Sequence, residues 1–287
     1  MGKLLSILFL LFLISCSDND EFSRTTEENT YPVELATNNT FGIGDEIGVY
    51  PVYFIGGSEG VLGDIANKMN IRYRFDGAKW ANNDDENYLL TDGSSLAIYA
   101  YYPYDPQMSA KEDKLNLQQY PFDVSGDQSV LAKDFLWAKS VLNDLPSGNR
   151  ANFVFRHLLS KIVINISSGS TVIQDVSVHN TITSCTINMR NGDVTVSDKN
   201  DIIQAVPHDL PEEGYDVTFE AILIPQQLVS GTTVLLINTD AGYTFFNLPS
   251  DLNLLSGSIY TFNLTLVQNL NRVKVEKAVV LNSMFME

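Results

Sequence analysis

The sequence predicts an all-β protein built from antiparallel sheets. Its 287 residues include 13 Tyr and 15 Phe, and Val, Ile and Thr are also frequent. These aromatic and β-branched side chains favour strands. Short apolar runs bounded by Gly, Asn, Asp or Pro recur along the chain, and amphipathic helices do not separate them. Such strands pair with their neighbours and bury one face each, so the expected architecture is β-sandwiches with a few short helices.

Turn residues delimit the predicted strands. Gly reaches positive φ without strain, and Asp and Asn tolerate it, which marks turns at 76–77, 92–93, 191–192 and 241–242. The Asn191-Gly192 pair lies between two alternating runs and predicts a hairpin. In chain order, strands are predicted over 47–53, 71–75, 96–102, 152–155, 161–166, 172–179, 185–189, 193–196, 215–224, 233–238, 244–248, 260–267 and 273–280. Helical character is confined to 129–138 and 251–255.

The length of the chain suits one large or two modest domains, and the pattern of strands favours two in tandem. The best break is the stretch 143–149, which contains Pro146 and Gly148. We therefore expect one sandwich over 31–155 and a second over 156–287.

The first residues predict export and lipid anchoring. A short positive start precedes an apolar run over 4–14, and Leu-Ile-Ser-Cys ends at Cys16. This motif resembles a bacterial lipobox, which implies removal of the signal peptide 1–15 and acylation of Cys16. The run of about eleven residues is shorter than the roughly twenty that span a bilayer, so we expect a lipid anchor. The alternative is a plain secretory signal with an incidental Cys.

An acidic tether follows the lipid over 16–30. Asp18, Asp20 and Glu21 lie just beyond Cys16. Similar acidic tags accompany export of Bacteroidales lipoproteins to the outer face of the outer membrane, which predicts a cell-surface location. An ordinary solvated tether is the alternative, because such runs favour disorder.

The composition argues against several classes of function. A formal net charge of −17 disfavours nucleic acid as a partner. His157, His179 and His208 lie in unrelated contexts without metal-ligand spacing, and no nucleophile or phosphate-binding motif is present. Cys185 lies in a strand-like alternation and is expected to be a buried or half-buried free thiol. We predict no catalytic residue, no metal and no cofactor, hence no enzyme.

The aromatic cluster of the strand 96–102 has two interpretations. It comprises Tyr99, Tyr101, Tyr102 and Tyr104. The residues could form a patch that stacks on sugars, but the wall of a sandwich core is the expected arrangement.

Several segments, in their order and spacing, resemble the fimbrillin family, the subunits of type V pili of Bacteroidales. They are Phe-Gly-Ile-Gly-Asp-Glu-Ile-Gly-Val-Tyr at 41–50, Tyr73 with 76–77 and Trp80, 97–104, 134–138, 153–162, 221–226 and 260–264. Together they cover nearly all of the mature chain. The resemblance implies two transthyretin-like sandwiches in tandem and assembly with other fimbrillin-like subunits.

The resemblance also implies a mechanism of assembly by strand exchange. In the family, a protease cuts the loop after an early strand, that strand leaves, and the C-terminal strand of another subunit fills the groove. The implied function is a structural, adhesive surface lipoprotein in a fimbrium, as anchor or stalk. The alternative is a surface lipoprotein that binds a host glycan or protein without polymerising.

Two segments of this chain bear on strand exchange. The first strand is expected over 31–36, and the loop 37–40 that follows it contains no Arg or Lys. The nearest candidate cleavage residue, Arg24, precedes that strand, so cleavage there would leave the strand in place. The tail 270–287 either donates a strand or closes its own domain. The candidate donor residues are Val273, Val275, Val279, Val280 and Leu281.

Overall fold

The computed structural model describes residues 31–62, 70–82, 89–91, 94–109, 117–128, 134–143, 149–269 and 272–284. Over these ranges the chain is almost entirely strands, with one 3-10 helix at Pro106–Ser109. None of the described residues belongs to a helix of the length and apolarity that crossing a membrane requires. The all-β prediction is confirmed.

The strands are numbered in chain order. They are β1 (Tyr31–Pro32), β2 (Glu34–Thr37), β3 (Glu46–Ile55), β4 (Ser58–Glu59), β5 (Ile71–Phe75), β6 (Trp80–Ala81), β7 (Leu90–Thr91), β8 (Leu96–Tyr102), β9 (Tyr120–Asp123), β10 (Gly126–Asp127), β11 (Leu136–Leu142), β12 (Arg150–Phe153), β13 (Arg156–His157), β14 (Ser160–Ser167), β15 (Ile173–Val178), β16 (Ser184–Asn188), β17 (Asp193–Val196), β18 (Ile203–Gln204), β19 (Val206–Pro207), β20 (Val217–Leu223), β21 (Gln227–Leu228), β22 (Thr233–Thr239), β23 (Gly242–Asn247), β24 (Leu252–Asn253), β25 (Ser258–Asn269) and β26 (Arg272–Met284).

The first half of the chain is organised around one antiparallel sheet in the order β13-β11-β8-β3-β5-β6. One face of this sheet packs on the pairs β2–β12 and β1–β7 and forms a core with Val33, Leu35 and Phe153. The other face is also covered, and Tyr50, Tyr99, Tyr101 and Trp137 are buried there. Because both faces are buried, β3 and β8 are continuously apolar and do not alternate with polar residues.

A segment from the first half of the chain pairs with strands from the second half. β9 pairs with β16, which also pairs with β17, and β10 pairs with β18. The β9–β16–β17 sheet lies against the second face of the sheet that contains β8. Phe135 makes this contact, with ring centroids 5.8 Å from Tyr101 and 5.2 Å from Phe122. The chain therefore crosses between the two halves before residue 150.

The second half of the chain is a sandwich of two five-stranded sheets, ordered β10-β18-β15-β22-β23 and β19-β20-β14-β25-β26. The sheets meet through apolar side chains, and the Phe246 and Phe262 rings lie edge to face at 5.7 Å. The inner faces contribute Val176, Val178, Leu235, Ile237, Ile162, Ile164, Ile166, Ala221, Tyr260 and Leu264. Within this mainly antiparallel fold, β2–β12, β10–β18 and β14–β25 are parallel pairs.

The turn between β16 and β17 docks on the sheet that contains β11. The Trp137 indole N–H donates to Met189 O at 2.7 Å. The Arg156 guanidinium lies 4.9 Å from the Trp137 ring and donates to Asn191 O. Gly192 has φ of +72°, and a Cβ there would lie 3.0 Å from the Trp137 ring. The predicted hairpin at Asn191-Gly192 is confirmed, and Gly suits this turn for both conformation and space.

A half-buried carboxylate reinforces this junction. Glu59, on β4, accepts hydrogen bonds from Lys139 and from the Tyr99 hydroxyl. The Arg190 guanidinium lies 3.6 Å from Glu59 Oε2 and donates to Gly60 O at 2.9 Å. Burial raises the pKa of Glu59, but the bonds from Lys139 and Tyr99 outweigh it and hold the pKa below its ordinary value. The charged carboxylate thus joins β4 to the turn after β16.

The two helix predictions are wrong where the structure describes them. Residues 136–138 belong to β11, and 252–253 form β24. Residues 129–133 lie outside the described residues. Leu136, Trp137 and Ala138 are all buried because both faces of β11 are covered at its start, which removes the alternation that would have marked a strand there.

The tyrosine cluster forms core, as expected. Tyr99 and Tyr101 are fully buried, whereas Tyr102 and Tyr104 are half-buried. The Tyr101 hydroxyl donates to Asn70 Oδ1 at 2.6 Å. The cluster is therefore the wall of a core and not an open patch for sugars.

Gly48 provides a stability test. A Cβ at this position on β3 would lie 2.1 Å from the Tyr101 ring and 2.5 Å from Asn70 Oδ1. Gly48→Ala should lower the free energy of unfolding by about 1–3 kcal/mol, because the buried ring must shift. Urea unfolding measures this difference. Gly42→Ala is the matched control, since its Cβ meets Asp45 Oδ2 only at 3.6 Å. Equal stability of the two variants would contradict the predicted packing.

Candidate assembly site

The segment 31–37, which contains β1 and β2, lies in a groove of the N-terminal core. Val33 and Leu35 are buried, with 5% and 8% of their surface exposed, while Glu34 between them faces solvent. β2 pairs in parallel with β12 from Glu34 opposite Arg150 to Thr37 opposite Phe153. On its other side Val33 N donates to Leu89 O at 2.9 Å. The predicted strand 31–36 is thus divided at Val33 into β1 and β2, and both pair within the N-terminal core.

The loop 37–40 is held down by one side chain. The Asn39 amide nitrogen donates to Phe155 O at 3.1 Å, and Phe155 N donates to Asn39 Oδ1 at 2.9 Å. This pair of bonds imitates a backbone strand pairing. Asn38 and Thr40 on either side are exposed. The loop therefore presents alternate residues to solvent while its centre stays attached to the core.

Aromatic packing closes the end of the groove. The Phe41 ring lies edge to face with Trp80 at 5.0 Å, with Tyr102 at 5.6 Å and with Phe155 at 5.4 Å. This cluster follows the loop directly and fixes where the chain enters β3. Departure of β2 would leave Phe153 and Phe155 beside an empty groove.

The chemistry of this groove suits the binding of a strand and does not suit the binding of a small-molecule substrate. Its walls are apolar, and its polar groups are the backbone N–H and C=O of β12, which pair with β2. A buried backbone group without a partner is unfavourable by about 1–3 kcal/mol. An empty groove would therefore favour any strand that supplies the same backbone bonds and two inward apolar side chains.

The tail forms the last strand of its own sheet. β26 pairs with β25 along its length, from Arg272 opposite Asn269 to Met284 opposite Ser258, with one bulge. Val273 is buried, and Val275, Ala278 and Val280 are half-buried against the core. Val279 and Leu281 point the other way and are 40% and 54% exposed. Of the candidate donor residues, three thus face the core and two face solvent.

The remaining predicted residues do not form a site. Cys16, Arg24 and the acidic tether lie outside the described residues. His157 Nδ1 lies 2.6 Å from Asp134 Oδ2, His179 Nε2 lies 2.9 Å from the Ser177 hydroxyl two residues earlier, and His208 Nε2 lies 2.9 Å from Glu220 Oε2 on β20. The three histidines are not brought together.

Cys185 is a buried free thiol, as predicted. Burial, with a smaller contribution from Asp123, raises the pKa of Cys185 to about 12. The thiol is therefore neutral at physiological pH, which disfavours a nucleophilic role.

Solved structures with a similar fold support the tandem-sandwich class. A “putative cell adhesion protein” from Bacteroides uniformis matches with a TM-score of 0.65 and 21% identity, over 91% of this chain and 99% of that chain. Another from Bacteroides ovatus matches with a TM-score of 0.65 and 20% identity, over 86% and 96% of the two chains. At these identities the likeness concerns the fold alone.

Sequence relatives point to a family. “Putative fimbrium subunit Fim1C” of Bacteroides uniformis is 26% identical over 216 residues, which cover 67% of this chain and 66% of that protein. “Putative fimbrium tip subunit Fim1C” of Bacteroides ovatus is 25% identical over 163 residues, or 53% of this chain and 28% of that protein. The match thus spans only part of each curated relative. A family model described as fimbrillin-like matches residues 35–280, which confirms the resemblance: the chain belongs to the fimbrillin-like family.

Proposed function

We propose that this chain is a lipid-anchored surface subunit of a pilus that assembles with other fimbrillin-like subunits by strand exchange. The observation that carries the proposal is the packing of β2 in its groove. Val33 and Leu35 fill an apolar groove whose remaining requirement is backbone pairing with β12. The groove shows what a donor strand must supply, and the tail of this chain would offer the same backbone bonds and apolar side chains to the corresponding groove of another subunit. The names of the fimbrium-subunit relatives point the same way.

The tail supplies a matching donor. A strand that only closes its own sandwich needs apolar side chains on one face. β26 also has Val279 and Leu281 on its exposed face. Apolar residues on both faces suit a strand that becomes buried between two layers in a partner. This pattern supports the donor role of Val273, Val275, Val279, Val280 and Leu281.

The loop 37–40 bears on the position of the subunit within the pilus. It has no Arg or Lys, and Asn39 holds its centre against Phe155. An Arg-specific protease would therefore act at Arg24 and leave β2 in place. A filled groove accepts no donor, whereas the tail remains able to donate. This combination suits an end of the pilus, such as an anchor, better than the middle of a stalk.

The anchor and the location belong to the same proposal. Lipid on Cys16 would hold the chain to the outer membrane, and the acidic tether 16–30 would place it on the cell surface. The role is structural and adhesive, which agrees with a family of fimbrial subunits and with the separate settings of the three histidines.

Limited digestion tests the position of the subunit. After treatment with an Arg-specific protease, the mature protein should have a new N-terminus at Thr25, keep β2 and remain monomeric by size-exclusion chromatography. The matched variant Thr40→Arg adds the missing basic residue at an exposed position. It should be cut after residue 40 and form polymers. A new N-terminus between 37 and 41 in the unaltered chain, together with polymers, would show an ordinary stalk subunit.

A further inference from the structure

Two aromatic rings are exposed on the outer face of the sheet β10-β18-β15-β22-β23. Tyr243 and Phe245 lie on the edge strand β23 with 64% and 58% of their surface exposed. They are two residues apart, so both rings project from one face about 7 Å from each other. Thr244 and Phe246 alternate with them and are buried. The two exposed rings therefore take no part in the core.

A depression of about 400 Å³ lies beside the Phe245 ring. It is lined by His179, Asn180, Thr233, Leu236 and Phe245. Leu236 is half-buried and stands opposite Phe245 in the register of β22 and β23. The depression thus combines apolar contact at Leu236 and Phe245 with polar side chains of His, Asn and Thr.

Polar side chains on this face are oriented by lateral hydrogen bonds. Asn238, which stands opposite Tyr243, donates to Asp175 Oδ2 at 2.8 Å. The Thr233 hydroxyl donates to Asn247 Oδ1 at 2.6 Å. His179 Nε2 lies 2.9 Å from the Ser177 hydroxyl on the same rim. Groups already held in position lose less conformational entropy when they bind a ligand.

We propose that this face binds a neutral glycan. The aromatic face is defined as His179, Leu236, Tyr243 and Phe245 with the pair Asp175–Asn238. A sugar ring has an apolar C–H side that packs on an aromatic ring, and hydroxyls at its edge that bond amides, carboxylates and imidazoles. A site of exposed rings framed by fixed polar side chains matches both properties.

Charge and size select this ligand over others. Asp175 lies within the aromatic face, and the formal net charge of the chain is −17, so sialylated or sulfated glycans are disfavoured. A stable protein interface buries about 800 Å² on each partner around a larger apolar centre. Here the apolar centre consists of Leu236, Tyr243 and Phe245. A narrow ligand fits this centre better than a protein surface.

The proposal does not depend on strand exchange. The aromatic face lies on one sheet of the second sandwich, whereas β2 and its groove belong to the N-terminal core. The exposed residues of β26 project from the other sheet of that sandwich. A monomer can therefore bind a glycan whether or not it enters a pilus.

The experiment uses the mature lipoprotein in detergent micelles on a printed array of neutral, sialylated and sulfated oligosaccharides. The strongest neutral oligosaccharide is then titrated calorimetrically. Tyr243→Ser with Phe245→Ser should weaken binding by about tenfold or more. The ring-preserving pair Tyr243→Phe with Phe245→Tyr should retain affinity within about threefold. Val229→Ser with Leu255→Ser, which alters two exposed side chains elsewhere in the same sandwich, should bind as the unaltered chain does.

Further outcomes decide the proposal. Asp175→Asn should improve the relative signal of sialylated oligosaccharides, because it removes the carboxylate and keeps the acceptor for Asn238. Absence of binding to every neutral oligosaccharide would overturn the proposal. So would unchanged affinity of the Ser pair, or loss of affinity in the ring-preserving pair with an unchanged unfolding midpoint. Strongest binding to acidic glycans would overturn the choice of ligand.

Discussion

Cys16→Ala should transfer nearly all of the protein from the membrane fraction to the soluble fraction. The apolar run 4–14 is about half the length that spans a bilayer, so under the proposed anchor retention would depend on acyl chains. Each buried CH₂ of such a chain contributes about 0.8 kcal/mol, and two chains give stable anchoring where one is marginal. The variant should also lose incorporation of labelled fatty acid.

Fractionation of cells grown with labelled palmitate measures both effects. Ser17→Ala is the matched control, because it alters the neighbouring residue and leaves the Leu-Ile-Ser-Cys motif intact. It should stay acylated and membrane-bound. A Cys16→Ala protein that remains in the membrane fraction and still carries labelled fatty acid would rule out the lipid anchor on Cys16.

The strand content could be predicted from local pattern, but the choice of strand partners could not. The runs around Ile47, Ile162 and Phe262 are apolar and bounded by turns, which suffices to predict strands. Nothing in the run 120–127 shows that it leaves the first half to pair with β16 and β18. Partners far apart in sequence are chosen by packing, and the hydrophobic period of a strand does not encode its neighbour.

Covered faces also explain the errors in the prediction. Residues 136–138 resembled part of a helix because Leu136, Trp137 and Ala138 are successively apolar. Both faces of β11 are covered at these three residues, so the alternation typical of a half-exposed strand is missing there. Local periodicity is informative only where one face meets water.

The strands of the candidate assembly site could be predicted from the sequence, but the hydrogen bonds that hold its loop could not. The alternation of Val33 and Leu35 with Glu34 marks an edge strand, and it lies where expected. The two hydrogen bonds between the Asn39 side chain and the Phe155 backbone join residues 116 positions apart. An Asn in a polar loop predicts a turn, and only the folded chain brings Asn39 to the Phe155 backbone.

Lys at both exposed apolar positions of the tail, Val279→Lys with Leu281→Lys, should abolish incorporation into pili and leave the monomer folded. Both side chains are partly in water in the monomer, so the added ammonium groups remain solvated there. In a groove that covers both faces of the strand, the same groups would be buried without partners. Burial of an unpaired charge is unfavourable by several kcal/mol, and the lost burial of two apolar side chains, about 1.5–3 kcal/mol each at most, adds to that penalty.

Electron microscopy of cells that express the chain with its fimbrillin-like partners measures incorporation, and thermal unfolding of the purified monomer measures folding. Leu210→Lys with Val229→Lys adds the same two charges at exposed positions in loops of the same sandwich, and this control should assemble normally. Equal incorporation of both double variants would mean that β26 only closes its own sheet. Loss of incorporation in the tail variant alone, with an unchanged unfolding midpoint, places the donor in β26, because charge, expression and stability are then matched and only the outward face of the tail differs.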